Sequence, residues 1–276
     1  MADSSQLEYW NGPAAQRWIG ARERMDRAMA SITAAALELA APRPGERVLD
    51  VGCGYGTTSL LIAERVAPGG SVVGVDISAP MIDEARARAR AGSAAVAFVE
   101  ADAGSHRFDT PFDLVFSRFG VMFFDDPAAA FKNLGAALAP GGRMVFVCWR
   151  AFRDNPWASG PLAAARDLLP PMEPVDPEAP GPFAFADRDR LHRILTAGGF
   201  GEVSITAHAD EMYIGASVEE ASDYAMNVGP LSRAAAGLAE DVRAAIRLRV
   251  VSVVERFVSP RGVAVPAAVW LVTARV

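Results

Sequence analysis

The chain has 276 residues, 51% of them hydrophobic and 22% charged, with a net charge of −6, which allows one large core and excludes a mainly disordered polymer. The acidic balance lacks the basic footprint of a nucleic-acid-binding protein, and no apolar run reaches the ~20 residues that span a bilayer. The acidic, h-region-free start is unlike an export signal, and Cys53 and Cys148 lie in apolar segments, so the chain reads as cytoplasmic with buried reduced thiols.

From Gln16 to Ala41 apolar residues (Trp18, Met25, Met29, Ile32, Ala36, Leu39) recur at three- and four-residue steps, predicting a helix stopped by Pro42 and Pro44. Arg47–Gly52 then reads as a strand and Thr57–Val66 as a helix ended by Pro68-Gly69-Gly70. Ser71–Asp76 is a strand, and Ser78 with Pro80 opens a helix running to about Arg90. Val96–Glu100 and Phe112–Ser117 read as strands, Asp126-Pro127 starts a helix ending near Leu138, and Pro140-Gly141-Gly142 turns into strand Arg143–Trp149. This alternation calls for an α/β, doubly wound, mostly parallel sheet covered on both faces. Beyond Trp149, residues 151–187 read as an irregular insertion rich in Pro and aromatics. Arg188–Ala197 is helical, Glu202–His208 a strand, Ser217 to about Val258 helical with a break at Pro230, and Val269–Val276 a final apolar strand. Three parts follow: an N-terminal helical lid (1–42), a core (43–150), and a remainder (151–276) with insertions at 151–187 and 211–265.

Three signals fall at carboxyl ends of successive strands, where open α/β sheets bind ligands. Gly52-Cys53-Gly54-Tyr55-Gly56 lets the backbone turn tightly and approach a ligand, and the following helix offers free N–H groups. Asp76 ends the second strand 24 residues after Gly52, where an acid meets a ribose diol. Glu100-Ala101-Asp102-Ala103 follows the third strand and suits an adenine edge. A dinucleotide fingerprint would need Gly or Ala three residues after Gly54, where Thr57 stands, and no lysine is available for a phosphate-binding Gly-Lys-Ser/Thr loop.

The segment Val48-Leu49-Asp50-Val51-Gly52-Cys53-Gly54 resembles motif I of class I S-adenosylmethionine-dependent methyltransferases. Gly74-Val75-Asp76-Ile77-Ser78, Ala101-Asp102-Ala103, Phe112–Ser117 and Leu138–Arg143 resemble the family's later motifs, in order, and the small-molecule ubiquinone/menaquinone-like group is nearest. The resemblance implies a Rossmann-like seven-stranded sheet with an antiparallel last strand; where that family joins the last two strands by a hairpin, Asp210 to Val265 intervenes here and reads as a helical cap insertion. It implies S-adenosylmethionine as cofactor and S-adenosylhomocysteine as product. Gly52, Cys53, Gly54 and Gly56 would cradle the methionine portion with Asp50 near its ammonium. Asp76 would hold the ribose, Ile77 and Met81 would flank the adenine, and Ala101, Asp102 and Ala103 would meet its edge. Ser117, Arg118 and Phe119 would lie near the sulfonium, with Trp10 folding over the cofactor.

The implied reaction is metal-independent, in-line methyl transfer to oxygen, carbon or nitrogen of a small, partly hydrophobic acceptor, in small-molecule or secondary metabolism. Tyr9, Trp18, Met122, Phe123, Trp149 and Trp157 are its candidate contacts, and Phe124, Phe183 and Phe185 further wall residues. A general base is needed only for some acceptors; His106, after Asp102 on the ligand edge, is the candidate, ahead of His192, His208, Asp210, Glu211 and Tyr213. Ser117-Arg118-Phe119 replaces the motif of amino-methylating DNA enzymes, and neither cysteine follows a proline as in cytosine C5 enzymes. Ser117 and Arg118 are likewise no metal ligands, so no metal is expected. Two alternatives stay open: a non-catalytic S-adenosylmethionine-binding partner subunit, and a cap whose helices make a homodimer interface rather than a pocket wall.

Overall fold

The computed structural model describes residues 4–90, 95–172 and 176–276. In place of one long N-terminal helix the chain forms α1 (Ser4–Asn11), α2 (Pro13–Gly20), α3 (Arg22–Ala28) and α4 (Ala30–Ala40). The expected helix over 16–41 breaks at Ala21 and Met29, whose ψ angles of 6° and 3° leave the helical basin. The breaks let successive segments face different partners: Ala14 and Ala15 of α2 are buried toward the later helix over residues 79–89, and Ile32, Ala36 and Leu37 of α4 are buried in the main core.

Five strands, β1 (Arg47–Val51), β2 (Ser71–Asp76), β3 (Val96–Glu100), β4 (Phe112–Arg118) and β5 (Leu138–Trp149), run parallel in the order β3–β2–β1–β4–β5. Their near-continuous burial, with Val48, Leu49 and Val51 in β1 and Leu114 to Phe116 in β4, is what a sheet covered on both faces requires. The covering helices are α5 (Thr57–Val66), α6 (Ala79–Ala89) and α7 (Pro127–Ala136); the last two start at the caps Ser78 and Asp126, which accept from Met81 N and Ala129 N. The Pro140-Gly141-Gly142 turn loops out of register, Phe112 pairing with Leu138 and Leu114 with Arg143.

Helices α8 (Pro156–Ala164) and α9 (Arg188–Ala197) lead into β6 (Glu202–Gly215), and the cap holds α10 (Val218–Asn227), α11 (Pro230–Ala234) and α12 (Glu240–Val254). The chain returns through the two-residue β7 (Val258–Ser259) to β8 (Gly262–Arg275), which lies antiparallel between β5 and β6. Both final strands are longer than predicted, so the insertion expected over 211–265 narrows to the stretch between Gly215 and Gly262. Met212, paired with Val265, and Ile214, at the register shift before the Gly215–Val263 pair, are both buried and continue the ladder past the point where the sequence turns polar at Asp210 and Glu211. The segment 151–187, expected to be irregular, contains α8.

One fully buried amide joins this second half to the sheet. Asn155 Nδ2 donates to the carbonyls of Ala151 and Ala268, both at 3.1 Å, and its Oδ1 accepts from Ala268 N at 2.9 Å and Trp157 Nε1 at 3.2 Å. The exit from β5 is thereby bolted to β8, and Trp157 is oriented at the start of α8. An Asn155→Ala variant leaves these buried donors and acceptors without partners, and is expected to lose about 3 kcal/mol of stability. A lowered urea midpoint with an unchanged slope is the measurement that checks it.

Candidate functional site

Strand order reverses between β1 and β4, and there the two strand ends touch through backbone. Gly52 has φ +66°, and a Cβ on it would come 2.5 Å from Gly120 Cα. The buried Ser117 hydroxyl donates to Val51 O at 2.8 Å and accepts from Gly120 N at 3.2 Å. Gly54, at φ +54°, faces open space: a Cβ there would meet nothing within 4 Å. Gly56 differs. Its Cβ would lie 2.8 Å from the Phe98 ring, so this glycine permits packing of α5 on β3 and does not line the cavity above the loop.

Three carboxylates hold the neighbouring turns. Asp76 accepts from Gly54 N at 2.8 Å and Ser78 N at 3.0 Å, tying the glycine loop to the end of β2. Burial raises its pKa, and these backbone donors oppose the shift. Asp102 accepts from Gly104 N at 2.9 Å and the Ser105 hydroxyl at 2.7 Å. Asp50 is fully buried beneath the loop; Oδ2 accepts from the Thr58 and Ser59 hydroxyls at 2.7 and 2.6 Å, while Oδ1 has no hydrogen-bond partner among the described residues. Burial pushes its pKa up to about 6 against the pull of Ser59, Thr58 and the Arg118 charge.

The N-terminal helices form a roof. The Ser78 hydroxyl donates to Trp10 O at 2.6 Å; Asn11 Nδ2 donates to Ile77 O at 3.1 Å, and its Oδ1 accepts from Ala79 N at 2.9 Å. Trp10 meets Tyr9, Trp18 and Phe123 edge-on, with centroids 5.0, 5.8 and 5.5 Å away. Arg233 of α11 stacks its guanidinium 4.5 Å from the Tyr9 ring and donates from Nε to the Tyr9 hydroxyl at 3.3 Å, so lid and cap meet.

Loop, roof and cap enclose a cavity of about 1240 Å³. Of the residues expected around the cofactor, Trp10, Gly52, Cys53, Gly54, Asp76, Ile77, Met81, Ala101, Asp102, Ala103, Arg118 and Phe119 line it. So do Tyr9, Trp18, Met122, Phe123, Trp149 and Trp157, named for the acceptor. Asp50, Gly56 and Ser117 lie behind the lining. His106 is not brought to the cavity: a tight turn, with His106 N bonded to Asp102 O at 2.8 Å, carries it past the edge, and its ring packs against Phe108 at 4.9 Å. Neither His192, His208, Asp210, Glu211 nor Tyr213 lines the cavity, and Phe185 is buried against Phe131 at 5.9 Å. Met25, Met29, Phe152 and the α10–α11 turn (227–230) also line it. The two methionines were legible only as core positions of a helix, and the turn carried no signal beyond Pro230.

Phe119 sits at φ +63°, an uncommon conformation for an aromatic residue that costs about 1 kcal/mol. Its ring stacks on Trp149 at 4.3 Å with planes 9° apart, and Trp149 leads to Trp157 at 4.8 Å, making a continuous aromatic wall.

Comparison with known proteins finds relatives of the segment that carries the glycine loop. Residues 48–142 match the methyltransferase domain family. Demethylmenaquinone methyltransferase of Thermus thermophilus is 43% identical over 111 residues, covering 40% of this chain and 50% of that protein. Nocamycin O-methyltransferase of Saccharothrix syringae is 35% identical over 178 residues, covering 63% of this chain and 60% of that protein. The chain thus spans about half to three fifths of the length of these relatives. The crystal structure of the YcgJ protein of Bacillus subtilis superposes with a TM-score of 0.58 at 18% identity, covering 89% of this chain and 97% of that one, and shares the fold.

The buried Asp50 has a consequence for stability. Its folded pKa of about 6 lies above the ordinary 3.8, so the folded state holds the proton more tightly; the resulting stabilisation is complete below pH 3.8 and is lost as pH rises through 6. Asp50→Asn is expected to gain on the wild-type protein between pH 4 and 7, by up to about 3 kcal/mol. Unfolding free energies of both proteins across that range, without added ligand, check it.

Proposed function

Starting from residues 48–142 as a methyltransferase domain on a class I Rossmann-like sheet, we propose that the chain binds S-adenosylmethionine in this cavity and transfers its methyl group to a small acceptor. The observation that carries the reading is the convergence of an open glycine cradle with carboxylates from β2 and β3 on one cavity roofed by aromatic residues. The chain's residues fit the cofactor on two further grounds. A side chain at Gly54 would fill the space the loop leaves open, and the buried carboxyl of Asp50, with Oδ1 unpartnered among the described residues, lies behind that loop where an ammonium in the cavity would favour its charged form.

Gly52, Cys53 and Gly54 would hold the amino-acid portion over Asp50, and Asp76 the ribose diol. Ile77 and Met81 would flank the adenine, with Asp102 and the backbone N–H of Ala103 at its edge. When bound, the cofactor supplies a methyl group already activated on a sulfonium. The protein's share is then orientation and exclusion of water: the Trp10 roof covers the glycine loop, and the wall from Phe119 to Trp157 presents flat apolar surface to an acceptor held in line. Relatives named for nocamycin and demethylmenaquinone support a small organic acceptor and a place in small-molecule metabolism. The two buried, unpaired cysteines suit a reducing cytoplasm.

Calorimetry with S-adenosylhomocysteine tests the donor assignment. Wild-type protein is expected to bind it, and Asp76→Ala to weaken binding by about 100-fold through loss of charge-assisted bonds to the ribose; equal affinity in the two proteins would overturn the assignment. His106→Ala is expected to keep both that affinity and turnover of any acceptor found by screening within two-fold, because its ring packs on Phe108 and is not part of the cavity lining.

A further inference from the structure

Asp50 and Arg118 stand on neighbouring strands and on one face of the sheet. Asp50 of β1 pairs with Phe116 of β4, so Arg118, two residues further along, projects to the same side. From there Asp50 reaches Thr58 and Ser59 of α5, and Arg118 reaches Thr33 of α4. The buried Thr33 hydroxyl donates to Met29 O at 2.7 Å and accepts from Arg118 Nη1 at 2.9 Å, so the guanidinium is pinned by a group itself tied to the backbone. Arg118 lines the cavity, as do Arg17 from the roof and Arg233 from the cap, the last engaged with Tyr9.

Among the described residues, the titratable and charged groups around Asp50 are Cys53 of the loop, Asp76 of β2 and Arg118 of β4; its α5 neighbours are neutral hydroxyls. The Cys53 thiol, its pKa raised well above 9.0 by burial, stays protonated, and a guanidinium keeps its charge throughout. Burial likewise keeps the Tyr55 hydroxyl, which also feels Arg118, protonated. Of the positive charges, Arg118 acts most strongly on Asp50 and favours its charged form, while Asp76 opposes it. It acts through space, since Oδ2 is bonded to the two hydroxyls and Oδ1 has no partner among the described residues. Between partly buried groups such a charge is screened little.

Resting on the donor assignment above, we propose that Arg118 is a positioning residue for the donor: pinned by Thr33, its charge keeps the Asp50 carboxyl ionised behind the glycine loop, so that the ammonium of S-adenosylmethionine is held at neutral pH. An ionised Asp50 favours the ammonium, so donor affinity falls as pH drops through the pKa of the ligand-free carboxyl, about 6. Without the guanidinium, burial and Asp76 act with less opposition; that pKa rises, and the fall begins at higher pH. Above it Asp50 is charged in either protein, and the two affinities converge.

The test is calorimetry of S-adenosylhomocysteine, which carries the same ammonium, between pH 5 and 8. The wild-type protein is expected to bind with an inflection near pH 6, and Arg118→Met with one at least half a pH unit higher. Relative to wild type, the methionine variant is then at least three-fold weaker at pH 5 and within two-fold at pH 8. Arg118→Gln, which keeps a donor for Thr33, carries the test if the methionine variant fails to fold, and Arg118→Lys, which keeps the charge, is expected to titrate like the wild type. In an Asp50→Asn background the inflection is lost and Arg118→Met no longer alters the pH profile. Methylthioadenosine, which lacks the ammonium but keeps the ribose at Asp76, is expected to bind with a pH profile that Arg118→Met does not move. No inflection in the wild-type protein, or the same inflection in the methionine and glutamine variants, overturns the proposal. So does a shift that persists in the Asp50→Asn background or with methylthioadenosine, and so does an equal loss of affinity at every pH, which would place the guanidinium on the donor itself. Failure of wild-type protein to bind S-adenosylhomocysteine at any pH would instead overturn the donor assignment beneath it.

Discussion

The close approach of Gly52 and Gly120 is the constraint on which the site depends. Two backbone segments, from strands 66 residues apart at their Ser117–Val51 bond, meet with no room for a side chain on either. Ser117 bonds both, so the contact is polar as well as steric. Because it lies where the strand order reverses, it sets the floor of the crevice that every open α/β sheet leaves at such a point. Gly54 is thereby turned toward the space above, Phe119 is bent into its unusual backbone conformation, and Arg118 is delivered to the cavity.

The floor concentrates unfavourable terms that the rest of the molecule offsets. Asp50 carries a buried oxygen without a partner, Phe119 a strained φ, and Asp76 a carboxylate pushed toward its neutral form by burial. A continuous core of aliphatic residues on both faces of the sheet, together with the satisfied network at Asn155, surrounds them. Such terms gather at a surface whose geometry is not set by stability alone.

Much of this arrangement was legible in the sequence where local signals and tertiary demands agree. Strands β1 to β5 announce themselves as apolar runs punctuated by Gly, Pro and cap residues, and Asp76 and Asp102 fall at their ends. What escaped is set by partners remote in sequence. The breaks at Ala21 and Met29 lie inside an uninterrupted helical pattern, because the chain bends there to meet different surfaces. The lengths of β6 and β8 depend on mutual pairing, and the polar Asp210-Glu211 hid it. His106 and Gly56 belong to the right motifs, yet turn geometry removes one from the cavity and the Phe98 ring claims the other. The α10–α11 turn reaches the site only through the folding of the cap over Trp157, which a Cβ at Gly229 would approach to 3.0 Å.

The attachment of the roof has a mechanical meaning. All three bonds that fasten Trp10 and Asn11 go to the short loop from Ile77 to Ala79, whose Ile77 also lines the crevice. Roof and loop are therefore tied into one unit, anchored at the end of β2 and resting, through Tyr9, on Arg233 of the cap. From that anchor the indole of Trp10 reaches Trp18 and Phe123 through its edge contacts. The two ends of the crevice thus share one continuous frame of hydrogen bonds and ring contacts.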